Sequence, residues 1–124
     1  MLKLPQTSGG NVTRPLYEAK ADFFRTLGHP ARIRVLELLC EREHAVHELL
    51  AEIDIEPSNL SHQLAVLRRT GLVSQSRRDG QVFYTISAPE IRDLLLVSRK
   101  ILLHVITDQD SLKRELSPRR RQVS

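Results

Sequence analysis

Apolar residues recur at helical spacing along most of the chain and switch to alternation once, late in the sequence. Leu16, Ala19, Phe23 and Leu27 fall on one side of a helix, with Phe24 beside them, and Gly28-His29-Pro30 breaks it. Pro30 can open a second helix, ARIRVLELLCER, in which Ile33, Leu36 and Cys40 share a face and Val35 and Leu39 lie adjacent. A short third helix, AVHELLAEI, ends before a tight turn at Asp54 to Glu56. Pro57 then suits the first turn of a fourth helix, where Leu60, Leu64 and Leu67 recur at i, i+4 and i+7. Gly71 can end that helix in a left-handed cap. The alternating runs Val73 to Arg77 and Val82 to Ile86 flank Arg78-Asp79-Gly80-Gln81, and Asp-Gly favours a tight hairpin because both central residues need positive φ. A last helix starts near Ala88-Pro89 and runs through IRDLLLVSRKILLHVITD. The pattern predicts a mainly α protein with a small β-hairpin, an α+β fold in which a helix-turn-helix is followed by a wing.

The fourth helix is unusual on its outward side. A helix that only packs would solvate its free face with Glu and Lys, whereas this one carries Ser58, Asn59 and His62, with Ser61 and Gln63 on the flanks. These short donor and acceptor groups suit base edges in a major groove, Asn59 matching adenine and His62 the acceptors of guanine. Ser61 reads equally well as a packing residue. Arg68 and Arg69 close the helix, while Arg77, Arg78 and Gln81 sit at the hairpin tip. They are expected to hold phosphate or minor groove.

Charge sharpens this picture. The 124 residues sum to +4, from 19 basic and 15 acidic side chains, which alone would say little. From Ser58 to Gln81, however, four arginines face one acid, Asp79, so positive charge is concentrated on one helix and one hairpin. Apolar residues make up 40% and Trp is absent, so the core must be built chiefly from Leu, Ile and Val. No stretch approaches the ~18 apolar residues of a membrane span. The start, MLKLPQTSGGNVTRP, has no signal-peptide run, and a cytoplasmic location is expected. The single cysteine, Cys40, excludes an intrachain disulfide and reads as an inert core thiol on the apolar face of the second helix. Residues 1–15 read as a flexible arm, 16–110 as one folded domain, and 111–124 as a basic, disordered tail. With no phosphate loop, nucleophile elbow or triad, the chain does not read as an enzyme.

The last helix is broader in its apolar face than a small core requires. Ile91, Leu94, Leu95, Leu102 and Val105 form the stripe, and Leu96, Leu103 and Ile106 widen it. That excess points to a second copy of the chain packing there.

Three segments carry a resemblance: FFRTLGHPARIRVLELL, SNLSHQLAVLRRTGLV and RRDGQVFYTI. Together they make the chain similar to the ArsR/SmtB family of bacterial winged-helix repressors, over roughly Tyr17 to Ile106. The resemblance implies a homodimer on a pseudo-palindromic operator in double-stranded DNA, repressing until an inducer weakens binding. It places the dimer interface on the first and last helices, here through Leu16, Phe23, Leu95, Leu102 and Val105. The family's metal-sensing positions fall at Ala45 on the third helix and at about Ala88, Glu90, Ile101 and His104 on the last. Alanine and isoleucine cannot ligate, so no metal or other cofactor is expected, and the effector stays open. The family's thiol sensors pair cysteines of the second and last helices; here the corresponding place on the second helix is taken by Glu37 and the last helix has no cysteine.

Two alternatives stay beside this reading. One is a winged helix that binds protein through the same hairpin, without sequence-specific DNA contacts. The other is a metal-responsive repressor with a non-standard site, drawing on His104, Asp108 and Glu90 or Asp93, or on His44 and His47 with Glu43 or Glu48.

Overall fold

The computed structural model describes residues 14–116, so the expected arm lies outside the described residues except for Arg14 and Pro15, whereas residues 111–116 of the tail expected to be disordered are described and helical. The elements run α1 (Leu16–Leu27), α2 (Pro30–Glu41), β1 (His44–Ala45), α3 (Val46–Glu52), α4 (Pro57–Arg69), β2 (Val73–Arg78), β3 (Gln81–Ile86) and α5 (Glu90–Leu116). The chain divides into two compact units, residues 1–91 and 92–124.

The first unit is a winged helix-turn-helix. Its core comes from one stripe on each helix: Val35, Leu36 and Leu39 of α2, Leu49 of α3, and Leu60, Leu64 and Leu67 of α4 are all buried. Leu72, Val73 and Tyr84 add the base of the wing. The buried face of α2 is thus centred on Val35, Leu36 and Leu39, and Ile33 and Cys40 are only half-buried. Cys40 is accordingly not the fully buried core thiol expected from the sequence.

Local chemistry explains where the helices begin and end. His29 Nδ1 accepts from the Ala31 N–H at 3.1 Å ahead of α2, where Pro30 fills a position that has no donor to satisfy. The Glu48 carboxylate reaches back to the Ala45 N–H at 2.8 Å to start α3. At the end of α4, the Gly71 N–H donates to the Arg68 carbonyl at 3.0 Å and the Leu72 N–H to the Leu67 carbonyl at 3.1 Å. Gly71 has φ +83°, so this is the paired-bond, left-handed termination that glycine permits.

The wing is a tight hairpin with Asp79 at φ 52° and Gly80 at φ 75°, both in the left-handed region its turn requires. In register, Val73 faces Ile86 and Arg78 faces Gln81. A third strand was not evident from the sequence: β1 adds antiparallel to β3, with His44 opposite Tyr84 and Ala45 opposite Phe83, giving the order β1-β3-β2. Two residues are too few to show a period, and Ala45 instead reads as the first turn of α3, which it precedes.

In the second unit, α5 is helical through Leu116, further than the sequence reading carried the folded domain. Leu96, Val97, Ile101, Leu102, Leu103, Val105 and Ile106 are all exposed along it. Among the described residues, no helix is long and apolar enough to cross a membrane.

Candidate nucleic-acid interface

Three buried leucines fix the rotation of α4. With Leu60, Leu64 and Leu67 turned into the core, Ser58, Asn59, Ser61 and His62 are exposed, as are Arg68 and Arg69 in the last turn. The two arginines also sit where the helix dipole favours cations. On the wing, Arg77, Arg78 and Gln81 are exposed. The structure therefore brings nine of the ten expected DNA-contacting side chains to the surface of one helix and one hairpin.

Gln63 departs from that expectation. It is only 3% exposed, and both ends of its amide are in use. Its Oε1 accepts from Arg32 Nε at 2.7 Å, and its Nε2 donates to Asn59 Oδ1 at 2.8 Å. Arg32 is anchored in turn by Nη1, which donates to the Thr26 carbonyl at 3.0 Å. Gln63 is on the inner flank of α4, one turn from Asn59, and its side chain is committed to bonds within the protein rather than exposed for a base edge.

The four arginines of α4 and the wing differ from each other. Arg68, Arg69 and Arg77 pair with no acid among the described residues. Arg78 is held by Glu43 in a two-pronged contact, Nη1 to Oε2 at 2.9 Å and Nη2 to Oε1 at 2.7 Å. Its guanidinium also lies 4.1 Å from the centre of the Phe83 ring. Hydrogen bonding to Arg78 holds the Glu43 carboxyl below its ordinary range and raises the guanidinium. Glu43 immediately precedes β1, so this contact ties the wing tip to the segment that enters the sheet.

Arg32 does not stand out in the sequence by charge or motif, and Glu43 is singled out there only as a possible metal ligand beside His44 and His47. A signal for Arg32 does exist. Val35, Leu36 and Leu39 lie three, four and seven residues on, so Arg32 occupies the apolar stripe itself, where a cation requires a partner.

The residues at the family's metal positions do not fit a metal. Ala45 is buried beside β3, and Ala45, Ala88 and Ile101 offer no ligand atom. Among the described residues no three His, Cys, Asp or Glu side chains are grouped to hold an ion. His44 is buried with Nδ1 against the Arg42 carbonyl at 2.8 Å, while Glu48 is occupied by the Ala45 N–H and Arg42. The dimer-interface candidates split: Leu16, Leu102 and Val105 are exposed, whereas Phe23 and Leu95 are half-buried.

A winged helix-turn-helix with this surface defines a class of DNA-binding regulators. Residues 29–75 match the family described as "Bacterial regulatory protein, arsR family". The chain belongs to that family. It is 53% identical over 106 residues to the HTH-type transcriptional regulator Rv0081 of Mycobacterium tuberculosis, covering 84% of this chain and 92% of the relative. The crystal structure of Rv0081 superposes with a TM-score of 0.72, covering 78% of this chain and 98% of that one. A biofilm growth-associated repressor of Agrobacterium fabrum is 36% identical over 90 residues, covering 69% of this chain and 77% of the relative. Reduced HlyU from Vibrio cholerae is 31% identical with a TM-score of 0.62, covering 69% of this chain and 92% of that structure.

Proposed function

We propose that the protein is a dimeric, sequence-specific repressor that inserts α4 of each subunit into a major groove of an inverted-repeat operator. The observation that carries this reading is the exposed face of α4, where Ser58, Asn59 and His62 offer hydrogen-bonding groups and Arg68 and Arg69 pair with no acid among the described residues. Ser61 sits on the same exposed side. Arg77, Arg78 and Gln81 hold the wing on the flanking backbone. Two copies pair through the apolar faces of α1 and α5, and their half-sites lie about 34 Å apart, one helical turn. Repression, the family's general mode, is taken over activation. The names of similar proteins point both ways, since HlyU of Vibrio cholerae is called a transcriptional activator and the Agrobacterium relative a repressor. The regulator works without the family's usual metal-ligand sets, because three of those positions hold Ala or Ile.

Selection of bound sites from random duplex DNA by the purified protein, repeated with chelator and with reductant, tests this. An inverted repeat recovered in every condition is expected. A folded dimer that enriches no motif would overturn the reading in favour of a winged helix that binds protein.

A further inference from the structure

The bond from Arg32 to Gln63 determines more than the position of one buried amide. A guanidinium can only donate, so the Gln63 atom facing Arg32 Nε at 2.7 Å must be the carbonyl oxygen. That leaves Nε2, which can only donate, against Asn59. The Asn59 atom at 2.8 Å must then be Oδ1. Polarity is passed along three side chains, and each bond leaves one orientation for the next. Turning the Asn59 amide over would set two N–H groups against each other beside a glutamine that is 3% exposed, where a lost partner is costly.

We infer that Arg32, on a helix outside the DNA-facing surface, is a positioning residue for base recognition: through Gln63 it fixes which end of the Asn59 amide is offered to DNA. The inference rests on the reading of α4 as the recognition helix. With Oδ1 held by Gln63, Asn59 keeps both Nδ2 hydrogens and one oxygen lone pair, in a fixed order across the groove. Adenine N7 and N6 satisfy one such order, whereas a reversed amide would meet the base pair with donor and acceptor exchanged. The anchor of Arg32 on the Thr26 carbonyl at 3.0 Å makes the end of α1 the fixed point of the relay.

Gln63→Glu tests it with almost no change of shape. A carboxylate still accepts from Arg32 but can no longer donate to Asn59, so the Asn59 amide must turn over and donate from Nδ2. Site selection with the wild type, Asn59→Ala, Gln63→Glu and Arg32→Met gives the result. Asn59→Ala is expected to flatten one position in each half-site. Gln63→Glu is expected to change the favoured base at that same position, the original base losing roughly tenfold, the scale of one mismatched pair. Arg32→Met, which frees Gln63 to take either orientation, should flatten that position without reversing it. The ranking of bases is read within each variant, so a general loss of affinity does not imitate the effect. In parallel, the wild-type protein without DNA should show the Arg32 Nε–H by nuclear magnetic resonance in slow exchange with water, and Arg32 Nε–H in rapid exchange would overturn the relay. If Asn59→Ala flattens a position at which Gln63→Glu keeps the wild-type base, the inference fails while the recognition reading stands. If the wild type enriches no site, or Asn59→Ala changes no position, the recognition reading itself fails and the inference with it, even with the Arg32 resonance protected.

Discussion

On the proposed reading, Glu43 and a DNA phosphate are rivals for Arg78. The arginine is already neutralised by two hydrogen bonds, so its transfer to phosphate gains less than that of Arg77, which has no acid among the described residues. Arg77→Ala is therefore expected to reduce the slope of log affinity against log salt by about one, the release of a single counterion, and Arg78→Ala by less. Glu43→Gln should tighten binding to specific and random duplexes alike and steepen the slope. Salt titrations of the three variants check this, and equal slopes for Arg77→Ala and Arg78→Ala would refute the competition. The sign of the pH effect follows from the same contact. Glu43 is held below its ordinary value of 4.5 by Arg78, and Glu48 is held below it by the Ala45 N–H and Arg42. A depressed carboxyl contributes stability above its unfolded value and loses it as pH falls through its folded value, so both contacts should persist at pH 4.5 and open only in stronger acid. Carboxyl titration by nuclear magnetic resonance should place both midpoints below 4.5, with that of Glu43 rising in Arg78→Ala.

Elements with a strong period or a chemical stop signal were legible in the sequence, and those defined by few residues were not. The leucines of α4 and the Asp-Gly turn located the helix and the hairpin because each is specified by its own residues. Gly71 likewise marks its own role. Gly71→Ala has open space for the added Cβ, so its cost is conformational, about 1 kcal/mol from the positive φ, and denaturant unfolding should show a lowered midpoint with an unchanged slope. The strand β1 was not legible, since it exists only by pairing with β3, some forty residues later in the chain. Gln63 was misread for a related reason. It lies between the exposed and buried sides of α4, where periodicity does not decide, and only the neighbouring α2 shows that its amide is claimed by Arg32. The true face of α2 was displaced in the reading from Val35 and Leu39 toward Ile33 and Cys40, because adjacent apolar residues blur a helical stripe. The α5 stripe was recognised, but the helix runs past Asp108, where polar residues end the apolar signal without ending the helix.

At the scale of the molecule, the apolar surface of α5 is the feature that a single copy leaves unexplained. Leu102 is 59% exposed, so Leu102→Glu should leave each subunit folded, and with the proposed pairing through α5 it should prevent dimerisation. Sedimentation is expected to show a monomer with unchanged helicity, and affinity for a two-half-site operator should drop on the order of 100-fold as the benefit of joint binding disappears. A dimer that survives the substitution would move the interface elsewhere. The sheet is built so that it does not compete for that role. In the order β1-β3-β2, the long open edge belongs to β2, whose side chains from Ser74 to Arg78 are all exposed and end in two arginines. Charged edge strands resist adding further strands. The cations proposed to hold this hairpin on phosphate thus also keep two wings from zipping together, and on that reading a variant stripped of both would lose solubility along with its grip on DNA.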